Sequence, residues 1–335
     1  MNKLKVGVIF GGMSNEHDIS VMSGKTIIDN LDKNKYDVFL FFIDKNGKWF
    51  SNDKEISNII ESLKFMDVVF PILHGKYGED GTIQGMLEMF GIPYVGCGVL
   101  SSSLAMDKVY TKVILEKAGI KQANYVYLKK HNDKYIYIDK VFNEEILSLT
   151  EAAKKCSFEL GLPLFVKPSR AGSSVGVNKA KSLKELEKYI EYASRFDDKI
   201  LVEETLKGKE IECAVLGDND AKASSLGQII PSDSFYSFDA KYNSDSSLII
   251  PADISEDVAD EVKRTAIKAF KAIDAVGLAR ADFFVDGEDI YLSEINTMPG
   301  FTKVSMYPKL WEYDGISLGD LLDKLIDLAI EKTMH

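Results

Sequence analysis

Two acids, an amide and an arginine are the side chains best suited to chemistry in segment 277–306. Arg280 and Asp282 are two residues apart, as are Glu294 and Asn296, so each pair lies on one face of a predicted strand. Carboxylate and amide oxygens without cysteine or histidine favour a hard cation such as Mg²⁺, which usually accompanies nucleotide phosphates. The arginine suits phosphate binding or stabilisation of an oxyanion. The alternative is a solvated hairpin face with ordinary ion pairs.

The turn between these two strands decides whether the acids share a face. A three-residue loop at Asp286–Glu288, with Gly287 at positive φ, places Arg280 opposite Glu294 and Asp282 diagonal to it. Diagonal neighbours are roughly 7–8 Å apart, a gap that one or two metal ions can bridge. We therefore predict a loop with an odd number of residues.

The composition is that of an ordinary globular protein. The 335 residues are 45% hydrophobic and 28% charged, enough for two or three domains with a sizeable core. Acidic residues (52) outnumber basic ones (41), and the net charge of −11 argues against a general nucleic-acid or anionic-membrane surface. A local basic pocket for ATP is compatible with this charge.

The cysteines and the apolar runs bear on localisation. Cys97, Cys156 and Cys213 are odd in number and widely spaced, which predicts buried free thiols. The start MNKLKVGVIFGG lacks the apolar core of a signal peptide, and no apolar run reaches the roughly 18 residues of a membrane span. We expect a cytoplasmic protein with no membrane and no nucleic-acid partner.

The pattern of predicted strands and helices indicates three units, at residues 1–100, 101–200 and 201–335. In the first unit, buried strands such as Val6–Phe10 and Val68–Leu73 alternate with helices, which predicts an α/β protein with a parallel sheet. Ligands collect beyond the carboxyl ends of strands in such sheets. In the second unit, Lys129–Asn143 is interpreted as a polar surface excursion.

The strongest phosphate-binding candidate is Leu164–Val177. A short apolar strand ends at Lys167, and the small, flexible loop Ser169–Gly176 follows. Glycine and serine let backbone N–H groups approach an anion, and the lysine adds a compact charge. A plain Gly/Ser hairpin turn is the alternative.

Three further segments have side chains suited to a site. Ile200–Glu210 is an apolar strand followed by acids, which suits an adenine edge and ribose hydroxyls, although acids after a strand are usually solvated. Glu16 follows a glycine turn at a helix start, where it serves as a helix-terminal acid or as a counter-charge for a substrate ammonium. His74 follows a strand end among glycines. Segment 234–247, with Tyr236, Lys241 and Tyr242, has the length and composition of a lid or of an exposed loop.

Together these segments resemble the D-alanine–D-alanine ligases of the ATP-grasp superfamily, over essentially the whole chain. The matching motifs, in the family's order, are GGMSNEHDISVMSG, HGKYGEDGTIQG, MDKVYTK, VKPSRAGSSVGV, EETLKGKE, FYSFDAKY and ARADFF…EINTMPGFT. The resemblance implies an N-terminal parallel-sheet domain, which binds the first substrate, and two ATP-grasp subdomains that sandwich ATP. It also implies a homodimer.

The family's reaction, which the resemblance implies, uses ATP to phosphorylate the carboxylate of a first D-alanine. The amine of a second D-alanine then attacks the acyl phosphate, giving the dipeptide for peptidoglycan. The implied ATP-binding residues are Lys108, Lys167, Ser173, Glu203, Glu204, Leu206, Glu210 and Lys241. The implied ligands of two Mg²⁺ ions, with Mn²⁺ as a substitute, are Asp282, Glu294 and Asn296.

The resemblance also implies substrate and catalytic roles. The implied substrate-binding residues are Glu16, His74, Lys241, Ser305 and Met306. The implied catalytic residues are Glu16, Ser173, Tyr242, Arg280 and Gly300. Lys241-Tyr242 is similar to the alanine-adding form, and Met306 supplies an apolar wall. D-alanine is therefore the expected acceptor, with D-serine or D-lactate as the alternative.

Overall fold

The computed structural model describes residues 3–172, 175–230 and 247–333. Within them the chain forms three β-sheets flanked by helices. The prediction of a mixed α/β protein is confirmed. The residue limits of the three units stay predictions.

The first sheet contains the parallel strands that the sequence predicts. Its strands are β1 (Leu4–Gly11), β2 (Tyr36–Ile43), β3 (Trp49–Ser51), β4 (Lys54–Glu55) and β5 (Val68–Pro71). β1 pairs in parallel with both β2 and β5, whereas the short strands β3 and β4, which were not predicted, add antiparallel. The surrounding helices are α1 (His17–Asn30), α2 (Ile59–Lys64), α3 (Thr82–Met89) and α4 (Val99–Met106). Loops after β1 and β5 carry Glu16 and His74 to the same edge.

The second sheet is antiparallel. Helix α5 (Lys108–Lys117) leads into it, and its strands and helices are β6 (Tyr125–His131), β7 (Lys134–Ile138), β8 (Glu144–Leu147), α6 (Leu149–Leu160), β9 (Leu164–Pro168), β10 (Asn178–Ala180), α7 (Leu183–Ala193) and β11 (Lys199–Glu204). The strand order is β10-β9-β11-β6-β7-β8. The predicted strand–loop–strand at the phosphate candidate is the β9–β10 hairpin.

The interpretation of Lys129–Asn143 as a polar surface excursion is wrong. This segment contains the end of β6 and all of β7, and Tyr135 and Tyr137 are 3% and 1% exposed. Both tyrosine rings pack into the core beneath the second sheet. The hydroxyl group of tyrosine makes a tyrosine-rich segment look polar in the sequence. The ring nevertheless has the area and shape of a core residue.

The third sheet is also antiparallel and carries the acids of the opening motif. Its strands and helices are β12 (Lys209–Gly217), β13 (Lys222–Ile230), β14 (Ser247–Ile249), α8 (Glu256–Ala272), β15 (Gly277–Asp286), β16 (Asp289–Asn296), α9 (Met306–Tyr313) and α10 (Leu318–Thr333). The strand order is β14-β13-β12-β15-β16. Helix α10 packs back against α1 and β5, so the end of the chain shares a core with the first sheet.

The predicted three-residue turn of the β15–β16 hairpin is wrong. Asp286 pairs with Asp289, which leaves Gly287 and Glu288 as a two-residue turn. Gly287 does adopt the predicted positive φ, at 63°. With an even loop alone, Asp282 would face Ser293, and Glu294 would point to the opposite side of the sheet.

A β-bulge restores the shared face. The register shifts between Asp282 and Phe283, so Asp282 lies directly opposite Glu294 and Arg280 opposite Asn296. One extra residue in a strand changes which side chains share a face, and such bulges often lie next to active sites. The four polar side chains therefore meet, in a closer arrangement than the predicted diagonal one.

All three cysteines are buried free thiols, as predicted. No helix among the described residues is both long enough and apolar enough to cross a membrane.

Candidate active site

A cavity of about 330 Å³ lies where the three sheets meet. It is lined by every described residue that the sequence analysis proposed for the site: Glu16, His74, Lys108, Lys167, Glu203, Glu204, Leu206, Glu210, Arg280, Asp282, Glu294, Asn296, Gly300, Ser305 and Met306. The predicted site residues Ser173, Lys241 and Tyr242, and Tyr236 of the predicted lid, lie outside the described residues. Segments more than 250 residues apart in sequence thus converge on one space.

One wall of the cavity is built on the third sheet and is rich in carboxylates. Arg280 donates from Nε and Nη2 to the two carboxylate oxygens of Asp282, both at 2.7 Å, and its Nε lies 3.2 Å from Glu212 Oε2. Asn296 donates from Nδ2 to Asp282 at 3.0 Å. We call Arg280, Asp282, Glu212 and Glu294 the acidic wall.

Register explains how the acidic wall forms. Glu212 on β12 pairs with Asp282 on β15, which pairs with Glu294 on β16, so the three carboxylates form one row across three strands. Burial opposes the charge of Arg280, but Asp282 and Glu212 outweigh it and raise the pKa of the guanidinium well above its ordinary value. Glu212 was not predicted, although its two-residue spacing from Glu210 was visible in the sequence.

The donor set of this wall fits a hard divalent cation. Asp282 and Glu294 are direct cross-strand neighbours, and Asn296 adds an amide two residues away. Mg²⁺ takes one or two protein carboxylates and completes its octahedron with water and phosphate oxygens. Among the described residues no group of three or more His, Cys, Asp or Glu is placed to hold a metal, so such an ion would depend on ligands from a bound nucleotide. It would also compete with Arg280 for Asp282.

A second wall of the cavity is built on the second sheet and helix α5 and is rich in lysine. Glu203 on β11 lies between Lys112 and Lys167, with its Oε2 3.1 Å from Lys112 Nζ and its Oε1 in contact with Lys167 Nζ. We call these three residues the cationic wall. Burial opposes ionisation of Glu203, but the two ammonium groups outweigh it and lower the pKa of the carboxyl to about 2.

The phosphate-loop candidate is anchored at its start. Ser169 Oγ donates to Asp107 Oδ1 at 2.7 Å, and Lys199 Nζ donates to Asp107 Oδ2 at 2.6 Å. Asp107 also caps the N-terminus of α5, and Lys108 Nζ donates to the carbonyl of Ala171 at 2.8 Å. The first residues of the loop are therefore fixed to the helix that carries Lys108.

Two acids lie at the end of the cavity nearest the first sheet. Glu16 is 8% exposed and sits against glycines: a Cβ on Gly172 would come within 2.6 Å of Glu16 Oε2, and one on Gly75 would clash as well. Glu79 accepts from the Gly75 amide at 2.9 Å. Burial and the nearby Glu16 raise the pKa of Glu79 well above its ordinary value. The sequence analysis missed Glu79, although it lies in the HGKYGEDG motif.

His74 connects this end of the cavity to the turn after β16. Its Nδ1 lies 3.2 Å from the carbonyl of Met298, and its Nε2 lies 3.2 Å from Ser23 Oγ. Burial, with a smaller effect of the Arg280 charge, lowers the pKa of His74 to about 4, against the opposing effect of the hydrogen bond to Met298. The imidazole is therefore neutral at pH 7.

The turn after β16 contributes the remaining residues. Ser305 Oγ accepts from the Thr302 amide at 2.9 Å, and a Cβ on Gly300 would lie 2.8 Å from that oxygen. Met306 begins α9 and is 4% exposed. This stretch brings backbone, a hydroxyl and an apolar side chain to one corner of the cavity.

Comparison with known proteins shows which family the chain resembles. The family model described as D-ala D-ala ligase N-terminus matches residues 5–64 and 55–97, and that described as D-ala D-ala ligase C-terminus matches residues 114–327. A D-alanine–D-alanine ligase of Acetivibrio thermocellus is 46% identical, covering 99% of this chain and 97% of the relative.

Solved structures agree in fold. The D-alanine–D-alanine ligase of Bacillus anthracis complexed with ATP is 32% identical and superposes with a TM-score of 0.79 over 99% of both chains. The VanG D-Ala:D-Ser ligase of Enterococcus faecalis is 34% identical, with a TM-score of 0.83 over 98% of this chain and 100% of that one. The chain has the ATP-grasp fold and belongs to the D-alanine–D-alanine ligase family.

Proposed function

We propose that this protein joins two D-alanines into D-alanyl-D-alanine for peptidoglycan precursors. The γ-phosphoryl group of ATP passes to the carboxylate of the first D-alanine, which gives an acyl phosphate and ADP. The amine of the second D-alanine attacks the acyl carbon, the amide bond forms, and inorganic phosphate leaves. The observation that carries this proposal is that residues of both the cationic wall and the acidic wall line one cavity.

ATP binding is proposed for the side of the cavity next to the second sheet. Lys108 suits the phosphates because its ammonium contacts the phosphate loop at Ala171, and Lys167 does so because it lines the same cavity at the end of the strand before that loop. Glycines in the loop permit close backbone approach. Glu203, Glu204 and Leu206 lie where β11 ends, which suits an adenine edge, and Glu210 suits the ribose hydroxyls. The proposed ATP-binding set also includes Ser173 and Lys241.

Asp282, Glu294 and Asn296 are proposed to hold two Mg²⁺ ions, for which Mn²⁺ can substitute. Bound there, the ions would supply positive charge to the nucleotide phosphates. The chain's own contribution is to bring three oxygen-bearing side chains to one edge of the third sheet, next to a buried guanidinium.

The two D-alanines are proposed to occupy the end of the cavity between Glu16 and Ser305. Glu16 would accept hydrogen bonds from the ammonium of the first substrate, with His74 beside it. The Arg280 guanidinium and the Gly300 amide would stabilise the tetrahedral oxyanion. Second-substrate contacts are proposed for Lys241, Ser305 and Met306.

Water must be excluded from this reaction because it would hydrolyse the acyl phosphate. Ser173 is proposed to link by hydrogen bonds to Glu16 and to Tyr242 of the lid, and so to complete the closed site. Family membership further supports a homodimer that acts in the cytoplasm, which light scattering of the purified protein and fractionation of cells would test.

Coupled ADP release with single and paired substrates tests the function. With ATP and Mg²⁺, D-alanine alone should produce ADP and D-alanyl-D-alanine in equal amounts. Addition of D-serine or D-lactate should leave the D-alanine dipeptide as the main product. ADP release without any dipeptide would contradict the proposal.

A D-alanine–D-serine ligase is the second candidate, because the VanG D-Ala:D-Ser ligase has the same fold over nearly the whole chain. A mixed dipeptide formed in excess when both amino acids are present would favour it.

A further inference from the structure

Lys112 is a buried cation that the proposed reaction does not use. It lies on α5 among the core-facing residues Val109 and Leu115, and it is 3% exposed. Burial lowers the pKa of its ammonium, against the opposing effect of Glu203. A fully buried lysine is costly unless it is paired, so the partner of its ammonium indicates its role.

The ammonium of Lys112 pairs with a carboxylate of the cavity wall, and it also lies 5.3 Å from the centroid of the buried Tyr125 ring. Its ammonium lies 3.1 Å from Glu203 Oε2, while Lys167 contacts Oε1 of the same carboxylate. The side chains of Lys112 and Glu203 are 4% and 8% exposed, and all three residues line the cavity. One ammonium on each oxygen fixes the rotation of the carboxylate and leaves the trio with a net positive charge.

We propose that Lys112 is a positioning residue for nucleotide recognition, which holds the Glu203 carboxylate where it accepts a hydrogen bond from the exocyclic amine of adenine. Guanine carries a carbonyl oxygen at that position, which offers the carboxylate no donor. Lys112 therefore favours ATP over GTP without touching either. This inference rests on the proposed function, in which Glu203 lies at the adenine.

Removal of Lys112 has a definite consequence for the other two residues. Without it, the carboxylate turns toward Lys167, and Lys167 becomes fully engaged with Glu203. The acceptor for the adenine amine is displaced, and the charge available to the phosphates falls. The first effect weakens ATP only, whereas the second weakens ATP and GTP alike.

The test compares nucleotide affinity in three variants by calorimetry, without any D-amino acid. Lys112→Met removes the charge and keeps much of the length, and Lys112→Arg keeps the charge. Lys117→Met is the matched control, because Lys117 is exposed on the same helix. Thermal melting of each variant reports on folding.

We expect the ratio of ATP affinity to GTP affinity to fall about tenfold in Lys112→Met, the size of one lost hydrogen bond to a charged group. Lys112→Arg should restore most of that ratio, and Lys117→Met should leave it unchanged. A purely structural lysine would change the melting temperature and leave the ratio as in the wild type, and that result would overturn the proposal.

Lys112→Met leaves a buried carboxylate with one partner fewer, so a second comparison guards against misfolding. The double variant Lys112→Met/Glu203→Gln removes both charges and should bind ATP as Glu203→Gln alone does, because Lys112 acts through that carboxylate. A further tenfold loss in the double variant would overturn the proposal. Failure of the wild type to bind ATP would instead contradict the proposed function itself.

Discussion

The two walls of the cavity have opposite arrangements of charge. In the cationic wall one carboxylate, Glu203, lies between two ammonium groups. In the acidic wall one guanidinium, Arg280, lies against Asp282 and Glu212, with Glu294 opposite Asp282. In each wall the less numerous charge, which we call the minority charge, is buried between side chains of the opposite sign and holds them together. Each wall therefore has a net charge of the majority sign.

That difference explains how one cavity can bind both the negatively charged phosphates of a nucleotide and the cations that accompany them. The excess positive charge of the cationic wall suits phosphates directly. The excess negative charge of the acidic wall repels phosphates unless a divalent cation intervenes. The minority charges, rather than the more numerous ones, therefore fix the geometry of both walls.

The largest expected effect comes from the minority charge of the acidic wall. Arg280→Lys keeps one positive charge but loses the two parallel hydrogen bonds to Asp282. We expect turnover to fall roughly 100-fold to 1,000-fold, as for loss of an oxyanion donor. The measurement is ADP release at saturating ATP and D-alanine.

Arg264→Lys is the control for this prediction, because Arg264 is an exposed arginine whose ion pair lies on the surface of α8. Its turnover should equal that of the wild type. If Arg280→Lys were equally active, a point charge at this position would suffice, and the bidentate contact would have no catalytic importance.

Glu294→Gln is expected to have the next largest effect. It removes one charge from the acidic row while keeping the side-chain shape, so the Mg²⁺ concentration needed for half-maximal rate should rise roughly tenfold to 100-fold. Titration of Mg²⁺ at fixed ATP measures it. Glu288→Gln, at the exposed turn of the same hairpin, is the control. Unchanged metal dependence and rate in Glu294→Gln would remove Glu294 from the proposed ligand set.

The acidic wall also shows how much of the site can be predicted from the sequence. The two-residue spacing correctly indicated that Arg280, Asp282, Glu294 and Asn296 share one face, but the predicted route, an odd loop, was wrong. A bulge supplies the extra residue instead. One extra residue in the turn and one extra residue in a strand shift the register in the same way. Only the turn has a local sequence signature, so the bulge could not be predicted.

The cationic wall shows what the sequence conceals. Lys167 was predicted because it ends an apolar strand before a glycine-rich loop, a local pattern. Lys112 was missed because its role depends on burial against Glu203, which is 91 residues away along the chain. The one local sign was its position between the core-facing Val109 and Leu115, where a lysine is out of place. Glu79 was missed for the same reason, since burial and Glu16 define its environment.

The last prediction, with the weakest effect, concerns the buried imidazole of His74. Its pKa is lowered from 6.5 to about 4, so the unfolded chain binds a proton before the folded one does as the pH falls. The stability that the neutral imidazole contributes is complete above about pH 6.5 and is lost progressively toward pH 4. Between pH 7 and pH 5 this loss amounts to about 2 kcal/mol.

Denaturant unfolding at the two pH values measures that loss. In His74→Gln, which keeps hydrogen-bonding groups but cannot take up the proton, the free energy of unfolding should fall less on acidification, by about 2 kcal/mol. His131→Gln, at an exposed histidine, should behave as the wild type. Burial is the main cause of the lowered pKa of His74, and the charge of Arg280 is a smaller one, so Arg280→Lys, which keeps that charge, should leave the pH dependence nearly intact while turnover falls. A pH dependence that was the same in His74→Gln and in the wild type would mean that the buried imidazole does not titrate in this window.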